Sequence, residues 1–182
     1  MKIISTNLKD CFIIENPIYK DSRGLFIETY QKEKFDEKLG LSINFVQDNF
    51  SLSKKGVLRG LHFQKKFPQA KLIKVLKGKV FDVVVDIRKN SETFGLHFCL
   101  ELSDENHLQI WVPEGFAHGF QTLSDEAYFE YKCTNYYNKD DEGSIHWKDP
   151  DLNIPWPSNI DTIISQKDQQ AKSFQNFINT LK

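Results

Sequence analysis

Apolar and polar positions alternate over short stretches of this chain, and turn residues break the alternation at 21–24, 54–56, 77–78, 113–115 and 138–143. Gly, Pro, Asp and Asn at these breaks mark turns between strands rather than interruptions of helices. Many short strands at this spacing predict a double-sheet sandwich or jelly roll. Residues 71–76 and 80–87 flank Gly78 and are expected to form a hairpin. The second run is almost continuously apolar, which suits a strand covered on both faces. In 128–134, Phe129, Tyr131 and Cys133 share one face of a strand, and Glu130 and Lys132 share the other. Helical spacing is confined to two places. Phe35 and Leu39 predict a helix over Lys32–Leu39 that Gly40 can end, and Phe174, Phe177, Ile178 and Leu181 predict one over about 169–181. There is no repeat, low-complexity tract or linker, so a single domain over 1–182 is expected.

Composition supports strands. The chain has 15 Phe, 6 Tyr and 3 Trp but one Met. Its 24 basic and 25 acidic side chains leave a formal net charge of −1, which gives no general pull toward nucleic acid or anionic membrane. A local basic pocket for a small anion is still compatible with that balance. Cys11, Cys99 and Cys133 form no CxxC pair and fit buried, reduced thiols. Residues 1–9 contain no signal-peptide core, and no stretch approaches the ~18 apolar residues of a membrane span. The most apolar run, 80–87, is broken by Asp82 and Asp86. A soluble, cytoplasmic protein is expected.

Four polar features do not suit a plain sandwich core. They are Arg59-Gly60-Leu61-His62, Lys71 at a strand start, His118 within 113–120, and Tyr131 followed by Tyr136-Tyr137. Each has a structural reading as well as a functional one. His62 can be a hydrogen-bonded core histidine, Lys71 a solvated strand end, His118 a packed ring, and Tyr131 an interior tyrosine. Parity adds a problem, because Arg59 and His62 are three residues apart and point to opposite faces of an unbroken strand. They share a ligand only if Gly60 sits at a bulge, bend or strand end.

Several segments recur together: 21–28 (Asp-Ser-Arg-Gly-Leu-Phe-Ile-Glu), 47–49 (Gln-Asp-Asn), 56–64 (Gly-Val-Leu-Arg-Gly-Leu-His-Phe-Gln), 69–72, 81–88, 113–120 (Pro-Glu-Gly-Phe-Ala-His-Gly-Phe), 131–134, 154–157 and 164–168. In order and spacing the chain resembles the dTDP-4-dehydrorhamnose 3,5-epimerases of the cupin superfamily. The resemblance implies an all-β, cupin-type double-sheet jelly roll with a few short peripheral helices. It also implies a homodimer in which the N-terminal segment, about 1–30, reaches the partner. Arg23, Phe26 and Glu28 would then serve the neighbouring subunit's ligand. By position, His62 matches the family's proton acceptor, Tyr131 its proton donor, Asp168 the aspartate paired with the histidine, and Lys71 the lysine near the keto oxygen. Arg23, Glu28, Gln47, Asn49, Arg59, His118, Glu142 and Lys167 match positions that contact the substrate or its nucleotide, and Tyr137 matches the aromatic that stacks on thymine. The implied activity is epimerisation at C3 and C5 of dTDP-4-dehydro-6-deoxy-D-glucose in dTDP-rhamnose and surface polysaccharide biosynthesis, with no cofactor and no metal. Ile164 stands where the family has leucine, and 144–147 varies within the family, so His146 receives no role.

The chemistry asks for such residues. C3 and C5 flank one carbonyl, and removing either proton gives an enolate with its charge mainly on O4. A C–H beside a ketone is far less acidic than imidazolium, and each pK unit of mismatch costs about 1.4 kcal/mol. A donor aimed at O4 is therefore needed, and an ammonium serves. Inversion needs a base and an acid on opposite faces of the ring, roles that imidazole and phenol fit. No GxGxxG or GxxxxGK[ST] is present, so the diphosphate is not held by a Rossmann or P-loop device. Three alternatives compete. A metal-dependent cupin needs about three histidines and a carboxylate, while the five here, His62, His97, His107, His118 and His146, include no H-x-H pair. A binding module without chemistry would lack the acid or the base. A narrower epimerase would invert C3 or C5 alone, or act on a related nucleotide-linked 4-keto sugar.

Overall fold

A computed structural model describes residues 1–181. In chain order its strands are β1 (Lys2–Ser5), β2 (Phe12–Glu15), β3 (Ile18–Asp21), β4 (Gly24–Ile27), β5 (Gln47–Lys54), β6 (Val57–Gln64), β7 (Lys71–Lys77), β8 (Lys79–Asp86), β9 (His97–Ser103), β10 (Gln109–Val112), β11 (Phe116–Thr122), β12 (Glu126–Cys133), β13 (Glu142–Ser144) and β14 (Ile163–Ile164). The helices are α1 (Lys32–Leu39), α2 (Gln166–Gln169) and α3 (Phe174–Asn179). One sheet runs β1-β2-β10-β7-β12-β5. The other runs β13-β6-β11-β8-β9, with β14 paired to β6. β3 and β4 form a separate two-stranded hairpin. This is the double-sheet jelly roll with few short helices that the pattern predicts.

The sheets meet over a common apolar layer. Ile73, Val75, Ile110 and Phe129 of the first face Val80, Val84, Phe116 and Phe120 of the second. The outer face of the second sheet is covered as well, because Phe63, Val83 and Val85 pack on Phe174 and Phe177. β8 is thus buried on both faces, as its continuous apolar run predicts. On the first sheet, α1 covers one end. Gln31 caps the helix by accepting from the Lys34 N–H, and Gly40 closes it in the left-handed conformation at φ 65°. Phe35 then sits edge-on to Trp111, with ring centroids 6.0 Å apart. Burying a phenylalanine in this way stabilises by about 1.5–3 kcal/mol.

Two expectations need correction. The runs flanking Gly78 are strands but not a hairpin: β7 pairs with β10 and β12, whereas β8 pairs with β11 and β9. Gly78 hands the chain from one sheet to the other. Its φ is 78°, and a Cβ there would come within 2.1 Å of the Glu126 carbonyl oxygen, so glycine is required at this crossing. Two apolar runs around a turn glycine look the same in either topology. The predicted tail helix is also shorter and interrupted. Ser165 caps α2 and Ser173 caps α3, and between them Lys172 bridges to Ile145. Asp149 accepts from the Phe174 N–H and fixes where α3 begins. The bridge at Lys172, whose carbonyl accepts from the His146 N–H, holds the chain extended there and keeps α2 and α3 apart.

Candidate active site

A cavity of about 540 Å³ opens between the two sheets. Asn49, Arg59, His62, Lys71, His118, Tyr131, Lys167 and Asp168 line it, together with apolar Leu58, Phe120, Phe129 and Ile164. One wall belongs to the second sheet, where β6 supplies Arg59 and His62 and β11 supplies His118. The facing wall belongs to the first sheet, with Asn49 on β5, Lys71 on β7 and Tyr131 on β12. Packed sheets stand about 10 Å apart, a gap that a flat ring can fill with different groups on either side.

β6 solves the parity problem by a bulge. His118 is opposite His62 and Phe120 is opposite Arg59, so two steps on β11 match three on β6. The extra residue rotates Arg59 onto the face of His62. Gly60 and Gly119 permit the close strand approach at this point, since a Cβ on Gly60 would lie 2.5 Å from the Gly119 Cα. Arg59 is then steadied by its Nε, which donates to Ser53 Oγ at 3.1 Å.

His62 and Asp168 form a pair, with Nε2 2.6 Å from Oδ1. The aspartate is buried and the histidine half-buried. Burial alone would raise the Asp168 carboxyl, but the hydrogen bond and charge of His62, the Ser165 hydroxyl and the Gly60 backbone outweigh it and hold the group below its ordinary value. An ionised carboxylate accepting at Nε2 leaves the Nδ1 lone pair as the basic position. Sequence spacing gives no hint of this pair. It forms because the α2 turn brings a residue 106 positions away back beneath β6.

On the facing wall, Lys71 Nζ lies 5.5 Å from the centroid of the Tyr131 ring. Burial lowers the Lys71 ammonium from its ordinary value, with Cys133, Asp82 and Glu142 opposing the change. An ammonium that holds its proton less tightly is a stronger hydrogen-bond donor to developing oxygen charge. Burial likewise pushes the Tyr131 phenol up to about 12, so it stays protonated throughout the neutral range. The cavity therefore holds an imidazole on one side, a protonated phenol on the other, and a lysine with a lowered pKa beside the phenol.

The rim connects further predicted residues to the cavity. Gln47 donates to Asn49 at 2.9 Å and accepts from the Tyr137 N–H at 2.9 Å. Tyr137 Oη donates to Glu142 at 2.9 Å, and Glu142 in turn pairs with Lys167. Gln64 holds the same segment through Tyr136 O and the Asn138 N–H. Gln47, Tyr137 and Glu142 thus form a polar ledge beside Lys167. A larger hollow of about 690 Å³ lies behind that ledge, but it contains none of His62, Lys71 or Tyr131.

Three predicted residues are not brought to this cavity within one chain. Arg23 and Phe26 line a recess of the β3–β4 hairpin, where Arg23 pairs with Asp21, and Glu28 pairs with Lys34. The hairpin leaves Ile18, Tyr19, Leu25 and Phe26 exposed. Sequence reading missed Asp82, which lies 2.8 Å from His118 in the buried interior. Its signal was present as a carboxylate inside an apolar run. Ser53 and Gln64 were also missed, because hydroxyl and amide groups that hold other side chains look ordinary in sequence. Among the described residues, no cluster of three or more His, Cys, Asp or Glu is arranged to hold a metal ion. No helix among them is long and apolar enough to cross a membrane.

Comparison with known proteins gives a consistent result. A family model described as dTDP-4-dehydrorhamnose 3,5-epimerase matches residues 5–176. The dTDP-4-dehydrorhamnose 3,5-epimerase of Salmonella typhimurium is 51% identical over 172 residues, covering 94% of each chain. Among solved structures, the dTDP-4-dehydrorhamnose 3,5-epimerase of Elizabethkingia anophelis NUHP1 superposes with a TM-score of 0.92 at 55% identity, over 97% of both chains. The dTDP-6-deoxy-D-glucose-3,5-epimerase of Legionella pneumophila Philadelphia 1, in complex with dTDP-4-keto-L-rhamnose, superposes with a TM-score of 0.93 at 52% identity, over 96% of this chain and 93% of that one.

Proposed function

This chain belongs to the dTDP-4-dehydrorhamnose 3,5-epimerase family, and we propose that His62, Tyr131, Asp168 and Lys71 carry its reaction. That reaction is epimerisation at C3 and C5 of dTDP-4-dehydro-6-deoxy-D-glucose to dTDP-4-dehydro-L-rhamnose, a step of dTDP-rhamnose formation. The observation that carries the residue assignment is the placement of His62 and Tyr131 on facing sheets of one cavity, with Lys71 beside the phenol.

His62 removes the proton next to the ketone through Nδ1, while Asp168 holds the ring and stabilises the imidazolium. The enolate charge that develops on O4 is met by the Lys71 ammonium. Tyr131 returns a proton from the opposite side of the ring, which inverts the centre. Because C3 and C5 flank the same carbonyl, one base and one acid serve both after a small shift of the ring. Arg59 and Lys167 bind the diphosphate and its surroundings as charge-assisted donors. Gln47, Asn49, His118 and Glu142 contact the sugar or nucleotide, and Tyr137 gives the base a face to stack on.

The hairpin supports a shared site. Its exposed apolar residues have no cover among the described residues, and Arg23, Phe26 and Glu28 stand apart from the cavity. In a homodimer, the hairpin of each subunit closes the partner's cavity and brings these three residues to the partner's ligand. The three free cysteines suit a reducing cytoplasm.

Proton NMR in deuterated water with dTDP-4-dehydro-6-deoxy-D-glucose tests the reading. The expected result is deuterium at both C3 and C5 with inversion at both, lost in His62→Ala. Exchange and inversion at one carbon alone would replace this reading with a narrower epimerase. Normal exchange in His62→Ala would remove His62 from the role of base.

A further inference from the structure

Among the described residues, several buried carboxylates have no part in the proposed reaction, and of these Asp82 is the one with an oxygen that lacks a hydrogen-bond partner. Asp82 shares a face of β8 with Val80 and Val84, and both of these lie in the apolar layer between the sheets. Its side chain is wholly shielded from solvent. Oδ2 lies 2.8 Å from His118 Nε2, while Oδ1 has no hydrogen-bond partner among the described residues. A buried polar atom left unpaired costs about 1–3 kcal/mol. An apolar side chain of similar size would fill the position without that cost. Stability of the fold therefore gives no reason for a carboxylate here.

The neighbouring ring gives one. His118 lies at the cavity wall, directly across the strand pair from His62, and stacks on Phe129 with centroids 6.0 Å apart. We propose that Asp82 is a positioning residue for substrate recognition: by accepting the Nε2 proton of His118 it fixes that ring in one tautomer, so that Nδ1 offers a lone pair to a hydroxyl of the bound sugar. The inference rests on the reading of this cavity as the keto-sugar site.

The surroundings favour the neutral ring. Burial lowers His118 from its ordinary value, with Asp82 opposing and the Lys71 and His62 charges adding to the decrease. The charged or titratable groups facing it are Asp82 from β8, His62 from β6, and Lys71 from β7, with Tyr131 of β12 on the same cavity. A neutral imidazole has one donor and one acceptor nitrogen, and the partner of one nitrogen decides the role of the other. A carboxylate can only accept, so it sets Nε2 as the donor and leaves Nδ1 as the acceptor. This arrangement favours a hexose with a hydroxyl near the ketone over a deoxy analogue that offers no donor there.

Histidine-selective nitrogen NMR of the full protein, joined to steady-state kinetics with dTDP-4-dehydro-6-deoxy-D-glucose, tests the assignment. In the wild type, His118 should show a protonated Nε2 and an unprotonated Nδ1 across neutral pH. Asp82→Leu should give a mixture of tautomers and lower kcat/KM by about 10- to 100-fold, the size expected for a buried hydrogen bond to substrate. Deuterium uptake at C3 and C5 should continue in that variant. The Asp82→Leu/His118→Asn double variant should lose no more than His118→Asn alone. If Asp82→Leu does not fold, Asp82→Asn enters the same cycle. A wild-type proton on Nδ1, unchanged kcat/KM in a variant whose tautomer has shifted, or additive losses in the cycle would each overturn the role of Asp82. Absence of exchange in the wild type would instead overturn the reading of the cavity, and the tautomer would still report on Asp82.

Discussion

The cavity between the sheets and the hairpin at Ile18–Ile27 are built in opposite senses. In the cavity, polar side chains sit inside an apolar layer and are held by other residues of the same chain: His62 by Asp168, His118 by Asp82, Arg59 by Ser53. In the hairpin, apolar side chains face outward, and among the described residues the two strands pair only with each other. With the residue roles proposed above, the difference separates two requirements of the reaction. Groups that move protons must be fixed before substrate arrives, which a single chain can do. Groups that enclose a long nucleotide-linked substrate can come from elsewhere, and an exposed apolar hairpin gains stability only when something covers it.

The sharpest way to break this division is to strike the cavity. His62→Ala should lower kcat by about 10²- to 10⁴-fold, the range of a general base, with little change in oligomeric state by analytical ultracentrifugation. A loss confined to KM would mean that the cavity binds without reacting. Lys71 comes next. Lys71→Met should cost about 10²- to 10³-fold in kcat, as expected for a donor to developing oxygen charge. The sign of its pH dependence follows from burial. A cation whose pKa is lowered loses its proton sooner as pH rises, so the alkaline limb of kcat should fall below the ordinary lysine value of about 10.4. Tyr131, at about 12, does not set that limb. Lys71→Arg should move the limb upward, and an unmoved limb would assign it to another group.

The hairpin should respond differently. Arg23→Ala should raise KM by about 10- to 100-fold, the worth of charge-assisted hydrogen bonds, while kcat changes little. Mixed dimers of Arg23→Ala and His62→Ala subunits should recover part of the wild-type activity, because one site in each is intact. No recovery would place Arg23 in its own chain's site. The smallest effect belongs to Leu25→Ser. It removes buried apolar area only in the assembly, so the dimer dissociation constant should rise by about tenfold with each cavity's proton-transfer groups untouched.

Local patterns were the most legible part of the chain. Phe35, Leu39 and Gly40 define α1 because helix period and a left-handed cap are properties of neighbouring residues. The continuous apolar run of β8 correctly implies cover on both faces. What remained hidden depends on distant parts of the chain. A turn glycine between apolar strands cannot say whether they join one sheet or two, and Gly78 joins two. Spacing alone left open whether Arg59 and His62 share a face through a break at Gly60, and pairing with β11 reveals the extra residue that reunites them. The resemblance named candidate site residues but not the groups that hold them, so Asp82, Ser53 and Gln64 emerge from contacts alone.

The bulge at Gly60 also turns β6 into a ruler. Arg59 and His62 are three residues apart on β6 but match only two steps of β11, roughly 7 Å at the usual rise per residue, and the bulge keeps both ends of that interval on one side. A molecule gripped at its phosphates by the guanidinium brings to the imidazole only what lies that far along its length. A free hexose has nothing to anchor at the first mark, and a longer linkage would overshoot the second. With Arg59 and His62 in the proposed roles, one irregular strand would measure length as well as chemistry.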